Sequence, residues 1–174
     1  AISRSPAVEG FLTAASPGLI AVFQPNEYYP SHEAYLEAIA EAMREEYEAI
    51  VAAGFMLQVD DPALATRYTM TTDSIQQTRD WAHARVDVLN HALRNIPEEK
   101  VRFHTCYSIN MGPRATDMEL KDFVDIMLRV RAGAYSFEFA NPRHEHEWAI
   151  WEQVKLPPGK ILIPGVISHT TVLG

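Results

Sequence analysis

The chain has 174 residues, 47% of them hydrophobic, enough for one domain around one ordinary core and cramped for two. Its formal net charge of -8 excludes a surface built to neutralise phosphates, so no nucleic-acid partner is expected. A single cysteine excludes an intramolecular disulfide. No basic start leads into an apolar leader, and no apolar run approaches the ~20 residues that span a bilayer, so the expected setting is the cytoplasm, away from membranes.

Residues 1–9 have no period and read as an irregular lead-in. Residues 11–15 and 19–23 are short apolar runs separated by Ser16-Pro17-Gly18, and at least one of them should be a strand. QPNEYYP, residues 24–30, carries two prolines and an Asn and reads as a loop. From Ser31, a suitable N-cap, apolar residues recur at Leu36, Ile39, Met43, Tyr47, Ile50 and Val51 until Gly54, which predicts an amphipathic helix. FMLQV, residues 55–59, predicts a strand that stops at Asp60-Asp61-Pro62. Residues 67–72 look like a long loop. A second helix is expected over 73–95, buried through Trp81, Val88, Leu89, Ala92, Leu93 and Ile96 and closed by Pro97.

VRFHTCYS, residues 101–108, is a β-branched and aromatic run between polar segments, as a buried strand tends to be. After a Gly/Pro-containing loop, a third helix should start near Thr116, with Leu120, Phe123, Val124, Met127 and Leu128 on one side, and end at Gly133. AYSFEFA, residues 134–140, predicts a strand, followed by a short helix holding Trp148 and Trp151, whose spacing suits packing. Pro157-Pro158-Gly159 precedes a last apolar strand over 161–168. Strands and helices thus alternate through short connections, the pattern of βαβ units and a parallel sheet. About five strands are visible, whereas a parallel barrel closes with eight, so the sheet is either open or part of a barrel.

The strand ends carry the chemistry. His104 and Cys106 are two apart on one strand, so an imidazole and the only thiol project from the same face, a pair suited to zinc. Asp60 and Asp61 end an earlier strand, Glu138 sits inside AYSFEFA where an apolar residue belongs, and His169 follows the last strand. Parallel α/β sheets place their sites at that C-terminal edge. Glu138 must find a cation, a metal or a proton. Asp61 reads as a cap for the next turn, and Asp60, facing the other way, as a site residue. His144-Glu145-His146-Glu147 lacks the i, i+4 spacing of a zinc helix and reads as a solvated helix start. No phosphate-cradling glycine loop is present. A Cys–His nucleophilic pair is conceivable, but neighbours on one strand face are better placed to chelate than to pass a proton.

Four stretches, REEYEAIVAAGFMLQVDDPALA, FHTCYS, SFEFANPRHEHEW and LPPGKILIPGVISH, together resemble the C-terminal catalytic barrel of cobalamin-independent methionine synthase and its shorter relatives, from about residue 10 onward. The resemblance implies an α/β fold of TIM type, here a partial (β/α)8 barrel, with residues 1–174 forming one domain incomplete at both ends. It implies zinc held by His104, Cys106 and Glu138, with the family's second Cys beyond the chain. Asp60 matches the acidic residue that contacts the amino group of the thiol substrate, and His169 falls near the proton-donating histidine. The implied activity is methyl transfer from a donor to a thiol such as homocysteine. Two alternatives are alkylation of a coenzyme-type thiol by an epoxide or other donor at the same site, and a non-catalytic truncated barrel used as an interaction module. Missing strands would leave sheet edges to be covered by a second copy or another chain.

Overall fold

The computed structural model describes residues 8–107, 117–140 and 144–167. In chain order they form β1 (Phe11–Ala15), α1 (Pro17–Phe23), α2 (His32–Ala52), β2 (Met56–Asp60), α3 (Ala63–Met70), α4 (Ile75–Ala92), β3 (Val101–His104), α5 (Val124–Met127), β4 (Ala134–Glu138) and β5 (Ile161–Gly165). Three of the helices start at a serine whose hydroxyl accepts an amide N–H that the first turn would otherwise leave unpaired. Ser16 takes the amide of Leu19 at 2.9 Å, Ser31 that of Ala34 at 3.1 Å, and Ser74 that of Gln77 at 3.2 Å. The Gln77 side chain returns the favour to the Ser74 amide at 2.9 Å, completing a capping box. Just past α2 the chain turns away at Gly54, whose φ of 86° a side chain would resist.

The five strands among the described residues form one sheet in the order β1-β2-β3-β4-β5, every neighbouring pair parallel. A doubly wound sheet reverses its strand order part-way, whereas sequential order is the winding of a barrel. The fold is therefore α/β, an arc consistent with part of a TIM-type barrel. Leu57, Val59, Val101, Phe103, Tyr135 and Phe137 point to one side of the sheet and are buried. There they meet Tyr47, Ala82, Val86, Leu89, Ala92 and Leu93 of the helical layer. Tyr47 buries its ring and donates from its hydroxyl to the Ala15 carbonyl at 2.6 Å, so α2 is tied to the end of β1. No helix among the described residues is long and apolar enough to cross a membrane.

Of the two apolar runs of which at least one should be a strand, 11–15 is the strand, and 19–23 is helical because Pro17 and the Ser16 cap start a turn there. The structure departs from the sequence reading in two elements. Residues 63–70 form α3 where the loop was expected over 67–72. The third helix is reduced to a 3-10 turn (Leu120–Asp122) and the single turn α5, and its expected start near Thr116 lies outside the described residues.

Candidate active site

The strand alternation that buries one face of the sheet turns Gln58, Asp60, Arg102, His104, Ser136 and Glu138 to the other, where they are half-buried. Register then sets their spacing. Ala15 pairs with Asp60, Asp60 with His104, His104 with Ser136, and Glu138 with Gly165. The Thr105 amide donates to the Ser136 carbonyl at 3.1 Å, carrying the ladder past the end of β3 toward Cys106. On the same face the Arg102 guanidinium lies 4.3 Å from the centre of the Phe11 ring.

Asp60 is the hub of this face. Its Oδ1 lies 2.8 Å from His104 Nδ1 and accepts from Gln58 Nε2 at 3.0 Å. Cys106 is partly exposed, and its thiol is pushed up to about 11, first by burial and then by the negative charges of Glu138 and Asp60. Both carboxylates therefore act within electrostatic reach of the thiol. An acidic surrounding that disfavours a bare thiolate is one in which a cation would be welcome. Among the described residues, no three His, Cys, Asp or Glu side chains come together closely enough to hold one metal ion.

Asp61 points the opposite way and is buried, its Oδ2 accepting from the Ser16 hydroxyl at 2.6 Å. Burial pushes its carboxyl up to about 6, opposed by the Ser16 hydroxyl and by the amides of Leu64 and Ala63. Its backbone locks the neighbouring strand end: the Asp61 amide donates to the His104 carbonyl at 2.9 Å, and the Thr105 hydroxyl to the Asp61 carbonyl at 2.8 Å. α3 has no side-chain cap hydrogen bond, so the Asp61 side chain serves the Ser16 hydroxyl in place of the cap expected of it, and the Asp61 backbone holds the Asp60 and His104 strand tips together.

A second polar cluster lies where a solvated helix start was expected. His144 is only 6% exposed. Its Nδ1 lies 3.0 Å from Glu147 and its Nε2 3.0 Å from Asp117. Burial lowers its pKa, but the two carboxylates outweigh that and raise it. The Tyr107 hydroxyl sits 2.5 Å from the Glu147 carboxylate and 3.0 Å from the Met118 carbonyl, so the residue next to Cys106 is anchored here. The His144 and Glu147 spacing of three was visible in the sequence; Asp117 and Tyr107 come from other segments and gave no local signal. Trp151 packs near Phe137 and Phe139, whereas Trp148 is exposed.

Beside α1 and α3 lies an apolar cleft of about 240 Å³ lined by Val22, Phe23, Pro62, Met70 and Trp81. Arg67 at its wall stacks on Trp81 at 4.6 Å and pairs with Asp73 at 2.8 Å.

The sequence profile described as the catalytic domain of cobalamin-independent synthase matches residues 3–166. The chain belongs to this family. Among similar proteins, a methionine synthase of Pyrococcus furiosus is 28% identical over 127 residues, 72% of this chain and 31% of that protein. One of Saccharolobus islandicus is 30% identical over 97 residues, 55% of this chain and 26% of that protein. The chain thus aligns with less than a third of the length of these relatives. Of the residues expected of a cobalamin-independent synthase site, Asp60, His104 and Glu138 share one sheet face, and Cys106 lies just past β3, its thiol pushed up first by burial and then by the charges of Glu138 and Asp60. His169 lies outside the described residues.

Proposed function

We propose that this chain is part of a methyltransferase of the methionine synthase type, binding zinc through His104, Cys106 and Glu138 and serving methyl transfer to homocysteine. The reading is supported by His104 and Glu138 facing the same side of a parallel sheet at its C-terminal edge, with the Cys106 thiol within electrostatic reach of Glu138, in a chain of this family. The donor set suits zinc, which takes nitrogen, sulfur and carboxylate oxygen and can work with three protein ligands and an open position. When bound, zinc supplies a soft cation that favours the thiolate form of a substrate thiol at neutral pH.

The protein's own residues supply the rest. Asp60 offers a carboxylate to the substrate's amino group, and His169 returns a proton to the departing donor. The substrate sulfur bonds to the methyl carbon, and the donor leaves with the electron pair of the broken bond. Phe11, Leu12 and Ile161, exposed on the outer strands β1 and β5, mark the edges at which a second copy or another chain would close the sheet.

Metal analysis of the purified chain together with homocysteine-dependent turnover, over a panel of methyl donors, tests this. The expected result is about one zinc per chain or per closed assembly, lost along with turnover in His104→Ala and Cys106→Ser. A correctly folded chain that takes up no zinc favours a second reading, a binding module built on a truncated barrel. The open arrangement of the three donors is the observation on that side.

A further inference from the structure

Asp60 Oδ1 is engaged twice, by Gln58 Nε2 at 3.0 Å and by His104 Nδ1 at 2.8 Å. Gln58 and Asp60 are two apart on β2, and Asp60 pairs with His104 across the β2–β3 ladder, so the backbone itself fixes this three-residue chain. A role confined to gripping a substrate amino group does not account for it. An ionised carboxylate only accepts, whereas a neutral imidazole has one N–H and one lone pair. A hydrogen bond from Nδ1 to a carboxylate therefore places the lone pair on Nε2, on the far side of the ring. The Gln58 amide, donating to the same oxygen, keeps the carboxylate from turning away.

We infer that Asp60 is a positioning residue for His104: through the Gln58–Asp60–His104 chain it holds the imidazole in the Nδ1–H tautomer, with Nε2 ready for a divalent cation before any cation arrives. This rests on the zinc reading above and deepens it. Carboxylates that hold a ligating histidine in this way typically change metal affinity ~10–100-fold when removed. Asp60 is partly exposed on the open face of the sheet, its side chain 31% accessible and that of His104 28%, so removing the carboxylate leaves the packed face of the sheet undisturbed.

The test uses the full chain labelled with 15N-histidine, without metal, at about pH 8, above the usual histidine range. Ring 15N shifts read the tautomer of His104, and zinc affinity is measured by competition with a chromophoric chelator. Wild type should show His104 as Nδ1–H. Asp60→Ala should give a mixture of tautomers and ~10–100-fold weaker zinc binding, and Gln58→Ala a smaller loss in both. Asp60→Asn, whose amide oxygen still accepts, should recover much of the tautomer bias, and Cys106→Ser should weaken zinc without altering the tautomer. If Asp60→Ala folds by circular dichroism and leaves both tautomer and affinity unchanged while wild type binds zinc, the inference is overturned and the zinc reading stands. If wild type binds no zinc at all, both fall.

Discussion

Asp60 and Asp61 are chemically identical neighbours with opposite surroundings, because successive strand residues face opposite sides of a sheet. Asp60 meets His104 on the open face, while Asp61 is buried against Ser16. The Asp61 carboxyl is raised from 3.8 to about 6, so it favours the folded state when protonated. That contribution is full below the unfolded value and is lost as pH rises through about 6. In urea titrations, the stability of wild type relative to Asp61→Asn should fall by up to roughly 3 kcal/mol between about pH 4 and pH 7. A difference independent of pH would contradict the burial argument. His144, raised by two carboxylates, works in the same direction, its contribution fading as pH rises through its folded value. Tyr107→Phe, which removes the donor to Glu147 and to the Met118 carbonyl, should cost ~1–3 kcal/mol by the same titrations. The split between Asp60 and Asp61 was legible from strand period alone. The burial of His144 was not, since Asp117 and Tyr107, which close over it together with the nearby Glu147, lie far away in sequence.

At the scale of elements, what could be read depended on length and on period. The long helix α2 and the strands β2, β3 and β4 declare themselves through many apolar residues in register. α3, eight residues following a proline and interrupted by threonines and an arginine, has no such stripe and is held by the fold around it. The third helix lost most of its length for a related reason: an apolar stripe predicts burial, and a 3-10 turn with one α-turn buries Leu120, Phe123, Val124 and Met127 equally well. Gly133, expected to end that helix, also serves a close backbone approach. A Cβ there would stand 2.8 Å from the Glu98 carbonyl oxygen and 2.9 Å from Glu99 Cα. Because both are backbone atoms, Gly133→Ala should destabilise by ~1–3 kcal/mol in thermal or urea unfolding, and an unchanged midpoint would show that the segment yields.

The whole molecule is an arc of parallel strands whose buried face is closed by helices and whose other face carries the polar residues. That division follows from sequence: apolar residues alternate with Gln58, Asp60, Arg102, His104 and Glu138 along the strands. How the arc is closed is not written in local pattern, because closure depends on what lies against β1 and β5. The proposed donors His104 and Glu138 lie on β3 and β4 and Cys106 just beyond β3, so none of them belongs to an outer strand. Cobalt(II) titration of the full chain reads the proposed zinc site without relying on turnover, since Cys106 is the only thiol that can give a thiolate-to-cobalt absorption band. That band should appear at about one equivalent of cobalt per chain or per closed assembly, vanish in Cys106→Ser and weaken in His104→Ala. Absence of the band in folded wild-type protein would contradict the proposed site.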